Sequence, residues 1–430
     1  MADTLPRPRL PERLARAGYG MVGSVIALLA PGLLRRRLAR GKELPGRWRE
    51  KLGHSDVPRP AGRLVWLHAV GLGEALALRG LILAMSDRAP DLRFLVTSST
   101  RTSAQVLAQN LPPQTVHQFL PLDAPRFLNR FLDHWRPDLV VWSEQDIWPG
   151  AIFATAARGV PQALVNARIT ADSFTRRRRL APLYRAALRP LALVDAQEAG
   201  SAARLTALGA RDLAASGSLK PAGPALSVDM AELETLRAAL HGRRIWVAGS
   251  THPGDEAAAI AAMQALDDPA WLLIVAPRDI ARADSIAQAF IAAGMPPARR
   301  SQGQIPGAAC RVWLADSYGE MGLWYRLAEV ALVGGGFDAI GGHNPWEPAR
   351  LGAAILHGPD TANFSTDYAQ LAAAGAARAV TTSTLAEAIT DSAANTAMAA
   401  RANVLVAQAA THVSQLADRL CALIKRPPCA

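Results

Sequence analysis

Between about residue 60 and residue 360, short apolar runs alternate with longer amphipathic stretches, and the rhythm occurs twice. In the first half, Leu64–His68, Arg93–Thr97, Leu139–Ser143 and Gln162–Asn166 read as strands. Ala75–Met85, Ser103–Gln109, Pro125–Trp135 and Thr175–Leu188 read as helices. The pattern breaks at the proline-containing stretch Lys220–Val228 and then restarts. Arg244–Ala248, Trp271–Ala276, Arg311–Leu314, Val330–Val333 and Ala354–His357 are the later strands. Asp255–Ala265, Ile280–Ala293, Tyr318–Leu327 and Pro345–Leu351 are the later helices. Strand–helix alternation predicts α/β architecture, with parallel sheets covered by helices on both faces. A chain of 430 residues has room for two such domains. Joined by a linker, they are expected to enclose a central cleft at the carboxyl ends of their strands, the usual ligand position in this architecture.

The N-terminus departs from that rhythm. Ala17–Leu34 is a run of 18 uncharged residues, followed at once by Arg35, Arg36, Arg37, Arg40 and Lys42. Its length is at the lower edge for crossing a bilayer, and four glycines and Pro31 weaken it further. A short anchor or in-plane helix is expected, with the arginines keeping the chain on the cytoplasmic side. A helix that simply packs on the domain is the alternative. The expected division is a membrane-association segment over 1–40, one α/β domain over 41–220 and another over 229–430.

The richest candidate site is Val333–Ala349, V-G-G-G-F-D-A-I-G-G-H-N-P-W-E-P-A. Glycines at 334–336 follow a strand, and Gly341–Gly342 precede His343, Asn344 and an expected helix start. Bare backbone N–H groups at such a place suit phosphate. Glu347 is placed to accept from sugar hydroxyls. A lone glycine pair would only make a turn, but five glycines with His, Asn and Glu point to a nucleotide site through Gly335, Gly336, Gly342, His343, Asn344 and Glu347.

Other candidates follow strand ends. Glu74, in A-V-G-L-G-E, opens a helix and can take a proton from a hydroxyl, or simply complement the helix dipole. Glu144 and Asp146, in S-E-Q-D-I-W-P, are two apart and either face one site or sit in a solvated loop. Lys220 closes G-S-L-K at the linker. Arg278, in A-P-R-D, is placed to pair with phosphate. Ser250 and His252 begin a helix, where small hydroxyls are as often caps as ligands. Gly319, Glu320 and Met321 open another and offer backbone donors to a base or phosphate, though capping explains them equally well.

The net charge is +11 with a pI near 10.3, which suits an acidic partner. Nucleic acid is not expected, because the basic clusters, including Arg176–Arg179, lack interleaved aromatics for base stacking. Cys310, Cys421 and Cys429 show no metal-ligand spacing, and no Walker loop or Ser-His-Asp arrangement is present.

With these residues in view, the chain resembles the Kdo (3-deoxy-D-manno-oct-2-ulosonic acid) transferases of lipopolysaccharide assembly. The likeness runs from about Leu33 to Leu423 through R-G-K-E-L-P-G-R-W-R-E-K-L-G, W-L-H-A-V-G-L-G-E, T-S-S-T-R-T-S-A, P-L-D-A-P, S-E-Q-D-I-W-P, V-N-A-R-I-T, G-S-L-K, G-S-T-H-P-G-D-E, D-S-Y-G-E-M and G-G-H-N-P-W-E-P-A. The resemblance implies a GT-B fold of two Rossmann-like domains. It also implies inverting, metal-independent transfer of Kdo from CMP-Kdo to a lipid A precursor at the cytoplasmic side of the inner membrane, without a cofactor. On that basis Glu74 falls on the family's catalytic base. Arg278, Gly319, Glu320, Met321, Asn344 and Glu347 fall on CMP-binding positions, and Lys220 and Glu144 on cleft-lining ones. Three positions depart from the family pattern. Gly71 replaces a serine beside the base, Asp146 stands where Glu is usual, and Asp279 replaces a common His. These departures leave two other readings open: a related CMP-sugar or nucleotide-sugar enzyme with another acceptor, and a membrane-associated paralogue that has lost catalysis.

Overall fold

The structure is a computed structural model that describes residues 9–145 and 147–424. The chain divides into two compact units, Met1–Gly223 with Ala409–Ala430, and Pro224–Gln408. The first contains β1 (Leu64–His68), β2 (Arg93–Ser98), β3 (Thr115–Phe119), β4 (Leu139–Ser143), β5 (Gln162–Ala167), β6 (Leu193–Ala196) and β7 (Leu213–Ala215). They form one sheet in the order β3-β2-β1-β4-β5-β6-β7, every pairing parallel. The order reverses between β1 and β4. In a doubly wound sheet that switch point opens a crevice beyond the strand ends.

The second unit repeats the plan with β8 (Arg244–Thr251), β9 (Trp271–Pro277), β10 (Ala298–Arg299), β11 (Val312–Leu314), β12 (Val330–Val333), β13 (Ala354–His357) and β14 (Arg378–Ala379). Its order is β10-β11-β9-β8-β12-β13-β14, also parallel, with the switch between β8 and β12.

Both sheets are buried on both faces, as parallel sheets require. Val65 and Leu67 of β1 join Leu81, Ile82 and Met85 on one side, while Leu64 and Trp66 join Phe131, Trp135 and Trp142 on the other. In the second unit Trp246 and Ala248 pack with Ala258, Ala262 and Met263, and Ile245 and Val247 with Leu323, Trp324 and Tyr325.

Several elements differ from the sequence reading. The expected helix Thr175–Leu188 is two helices, Ala171–Arg178 and Ala181–Leu188, because the chain turns at Arg179–Leu180. Residues 409–424, assigned on sequence to the C-terminal domain, group with the first unit. Leu416 and Leu420 enter its core, and His412 Nε2 lies 2.5 Å from Asp195 Oδ2 of β6. Burial of the helix's apolar face against the first sheet outweighs proximity in sequence.

The N-terminal helix spans Leu10–Ala39, and among the described residues it alone is long and apolar enough to cross a membrane. A narrow stripe, Gly23, Ala27, Ala30 and Leu34, recurs at intervals of four, three and four and is buried against Leu52, Ala124 and Phe127. Small residues allow the close approach: a Cβ on Gly23 would lie 3.1 Å from Pro125 Cδ. The Tyr19 hydroxyl donates to Asp123 Oδ2 at 2.6 Å, and Asp123 also accepts from the amides of Gly150 and Ala151. The remaining apolar residues, among them Leu14, Met21, Val25, Leu28 and Leu29, are exposed.

Candidate functional site

In the first unit the candidates gather at the switch point. Glu74 sits in the first turn of the helix Leu72–Arg88 that follows β1. Its Oε2 accepts from the amides of Val70 at 3.0 Å and Gly71 at 3.1 Å. It is therefore a helix cap, and among the described residues no donor is recorded on Oε1. The helix presses on the turn that carries Lys220: a Cβ on Gly80 would stand 2.4 Å from the carbonyl oxygen of Ala222.

Glu144, the first residue after β4, is buried with φ +57°, a left-handed conformation rare outside glycine. Asn166, in β5, also has positive φ, +53°. Its Nδ2 donates to Glu144 Oε1 at 3.3 Å, and its Oδ1 accepts from the amide of Leu219 at 3.0 Å. One side chain thus ties Glu144 to the residue preceding Lys220. The sequence reading quoted V-N-A-R-I-T but gave Asn166 no role; an amide inside an apolar strand was the available signal. Asp146 lies outside the described residues.

Beside these residues the unit buries polar atoms that find no partner among the described residues: His68 Nε2, Ser143 Oγ and Trp148 Nε1. His68 Nδ1 lies 3.0 Å from the carbonyl oxygen of Thr97 and 2.9 Å from its Oγ1. Burial pushes the imidazole down to about 3, only partly opposed by the Thr97 carbonyl, so the ring is neutral.

In the second unit Ser250 and His252 follow β8, Arg278 follows β9, Gly319, Glu320 and Met321 follow β11, and the glycine-rich stretch follows β12. Met321 is drawn against β8, since a Cβ on Gly249 would meet its Cε at 2.9 Å. Ser250 has φ +56°. His252 Nε2 lies 3.0 Å from His343 Nε2. Arg278 is exposed and, among the described residues, makes no side-chain hydrogen bond or ion pair; its charge bears on Glu347 and His343. Burial raises the Glu347 carboxyl, while Arg350, the hydrogen bond from Asn344 and Arg278 pull it back. Asn344 Nδ2 reaches Glu347 Oε1 at 3.3 Å.

Three of the five glycine amides that the sequence offered to a ligand, those of Gly334, Gly335 and Gly342, are engaged within the protein. Asp255, fully buried, accepts from the amides of Gly335 at 2.7 Å, His252 at 2.9 Å and Phe337 at 3.3 Å. The amide of Gly334 continues to Gly249 O, and that of Gly342 to Gly335 O. Close packing explains these glycines instead. A Cβ on Gly334 would stand 2.5 Å from Ser250 O, and one on Gly336 2.8 Å from Gly358 Cα. The expected helix Pro345–Leu351 is a single turn, Trp346–Ala349, whose first amide is capped by Asn344 Oδ1.

Glu320 is also committed internally. Burial alone would raise its carboxyl, yet hydrogen bonds from Arg300 and Ser317 hold it below the ordinary value. Arg300 also pairs with Glu232, which clamps the loop before Met321. Gly319 takes φ +90° in that loop. Among the described residues no cluster of three or more His, Cys, Asp or Glu could hold a metal ion.

Two doubly wound parallel sheets, each with polar motif residues at its switch point, define a two-Rossmann α/β protein. The UDP-GlcNAc 2-epimerase of Neisseria meningitidis shares this fold at TM-score 0.54 and 14% identity, over 84% of this chain and 99% of that one. A putative UDP-N-acetylglucosamine 2-epimerase of Listeria monocytogenes does so at 0.52 and 14%, over 85% and 96%. Residues 46–222 match the family described as 3-deoxy-D-manno-octulosonic-acid transferase (kdotransferase). The 3-deoxy-D-manno-octulosonic acid transferase of Bordetella pertussis is 34% identical, over 84% of this chain and 87% of its own length. That of Rickettsia felis is 35% identical, over 72% and 67%. The chain belongs to the 3-deoxy-D-manno-octulosonic acid transferase family and is a glycosyltransferase.

Proposed function

We propose that this enzyme transfers Kdo from CMP-Kdo to a lipid A precursor of the lipid IVA type, in lipopolysaccharide assembly. The observation that carries the reading is the relationship to the Bordetella enzyme, which spans both units, joined to the gathering of the shared motifs at both switch points.

In this reading the first unit handles the acceptor. Glu74 removes the proton from an acceptor hydroxyl as its oxygen forms the bond to the anomeric carbon of Kdo. Only one carboxylate oxygen is engaged with the Val70 and Gly71 amides, so the other can take a proton. Glu144 and Lys220 line the same region, Asn166 tying Glu144 to Leu219, the residue before Lys220. The second unit holds the donor. As the bond from the anomeric carbon to the cytidylate phosphate breaks, the phosphate keeps the electron pair and Arg278 stabilises its charge. Gly319, Glu320 and Met321 shape the nucleoside seat, and Asn344 and Glu347 take its hydroxyls. Cytidylate leaves readily without protonation, so the reading routes no step through a metal or cofactor.

The N-terminal helix lies in the plane of the membrane interface on the cytoplasmic side. What supports this is its one packed stripe and its exposed Met21, Val25, Leu28 and Leu29, with arginines at 35–37. An in-plane helix immerses such a face and keeps its cations at lipid phosphates.

The test is incubation of the full-length protein in detergent with CMP-Kdo, generated in place, and tetra-acylated lipid A precursor, read by mass spectrometry. A lipid heavier by one or more Kdo units is expected. Turnover with a different acceptor only, or CMP-Kdo binding without turnover, would replace this reading by one of the two rivals named from the sequence.

A further inference from the structure

One side-chain pair at the second switch point that this mechanism leaves unused is His252 with His343. They stand at the exits of β8 and β12, with Nε2 atoms 3.0 Å apart and ring planes within 13°. Two ring nitrogens at that distance need one hydrogen between them, so one imidazole donates and the other accepts. The bond strengthens when the donor ring is imidazolium.

The acidic groups around the pair are already engaged. Asp255 holds three amides, Glu256 pairs with Arg282, Asp338 accepts from the Gly254 amide, and Asp367 accepts from Trp346 Nε1. Tyr368 donates to the His343 carbonyl, and burial lifts its own hydroxyl out of the physiological range. That leaves Arg278 as the charged side chain acting on His343. His343 is held down to about 4, by burial first, then by His252 and Arg278.

We propose that the His252–His343 pair takes up one proton when an anionic nucleotide neutralises Arg278, so that donor binding is linked to protonation. The proton comes from solvent and lands on the free nitrogen of the donating ring; no other bond changes. The added positive charge is present only while the ligand is. The proposal rests on reading the second unit as the nucleotide holder.

The test is calorimetric titration of the full-length protein in detergent with the methyl phosphodiester of cytidylate. This probe has no phosphate proton that titrates near neutrality. At pH 6, in two buffers of different ionisation heat, uptake of a fraction of a proton per ligand is expected. Kd should rise with pH, approaching about tenfold per unit where the coupling is complete. His252→Asn and His343→Asn should abolish the uptake and flatten the pH profile. The wild-type buffer dependence stands even if a variant fails to fold. Binding by wild type without proton uptake, or uptake that persists in both folded variants, overturns the proposal and leaves the nucleotide reading intact. Failure of the diester to bind wild type at all refutes that reading, and the proposal falls with it.

Discussion

The two units share a sheet plan but use their switch points in opposite ways. In the first, hydrogen-bonding capacity is left open: His68, Ser143 and Trp148 each bury a polar atom with no partner among the described residues, and Glu144 and Asn166 hold positive φ. In the second, Asp255 takes three of the loop amides from within, and what faces outward is the charge of Arg278. Unspent hydrogen-bond capacity suits a many-hydroxyl acceptor, while a loop presenting one guanidinium suits a phosphate. One topology therefore carries two chemistries, because ligand choice resides in the loops and not in the strands.

The largest expected effect tests the first unit. Glu74→Ala should lower kcat by about 10²–10⁴-fold while the KM for CMP-Kdo stays nearly constant, measured as CMP release with lipid acceptor. A variant with wild-type kcat would reduce Glu74 to a cap. On the other side of the comparison, Arg278→Ala should weaken donor binding by roughly ten- to a hundredfold, the scale of a lost charged hydrogen bond. Calorimetry on CMP reads it directly.

The glycines sharpen the contrast. Gly336→Ala should cost about 1–3 kcal/mol in denaturant unfolding, because its Cβ would meet Gly358 Cα at 2.8 Å. Gly71 is different. A Cβ there would lie 3.5 Å from Glu74 Cδ, in ordinary contact. Its φ of −88° suits any residue at a helix cap. Gly71→Ser should fold normally and gain only about a few tenths of a kcal/mol; a large loss would mean that the loop needs glycine here too.

A pH test addresses the clamp in the second unit. Asp316 and Glu320 are both held below ordinary carboxyl values; burial opposes this, but bonds from Ser301 and Arg299 to the first and from Arg300 and Ser317 to the second prevail. For carboxyls depressed in the folded state, the stabilisation is present above their unfolded pKa of about 4 and is lost as pH falls through the folded values. Hydrogen exchange at residues 316–321, corrected for intrinsic rates, should therefore accelerate on acidification below about pH 4. An unchanged protection factor would remove the clamp.

Four strands were legible because they are mostly apolar and lie between strong breakers: Leu64–His68, Leu139–Ser143, Val330–Val333 and Ala354–His357 occur as read. Others were not, among them β3, β6 and the short edge strands. β7, β10 and β14 are two or three residues long and partly exposed, too short to show any period. The C-terminal helix Ser392–Ile424 was overlooked, and its allegiance to the first unit depends on burial that no local pattern encodes.

For the site, sequence by itself determined which residues gather, since a motif that follows a parallel strand must emerge at the carboxyl edge of its sheet. It also determined the family, the alternation and the apolar N-terminal run. Only the tertiary structure decided what those residues are free to do. That Asp255 fills the glycine loop, that Glu320 belongs to Arg300, that Asn166 bridges toward Lys220 and that His252 meets His343 are pairings between segments up to 91 residues apart. Hydrogen-bond partners are set by distances in space, and sequence spacing does not carry them.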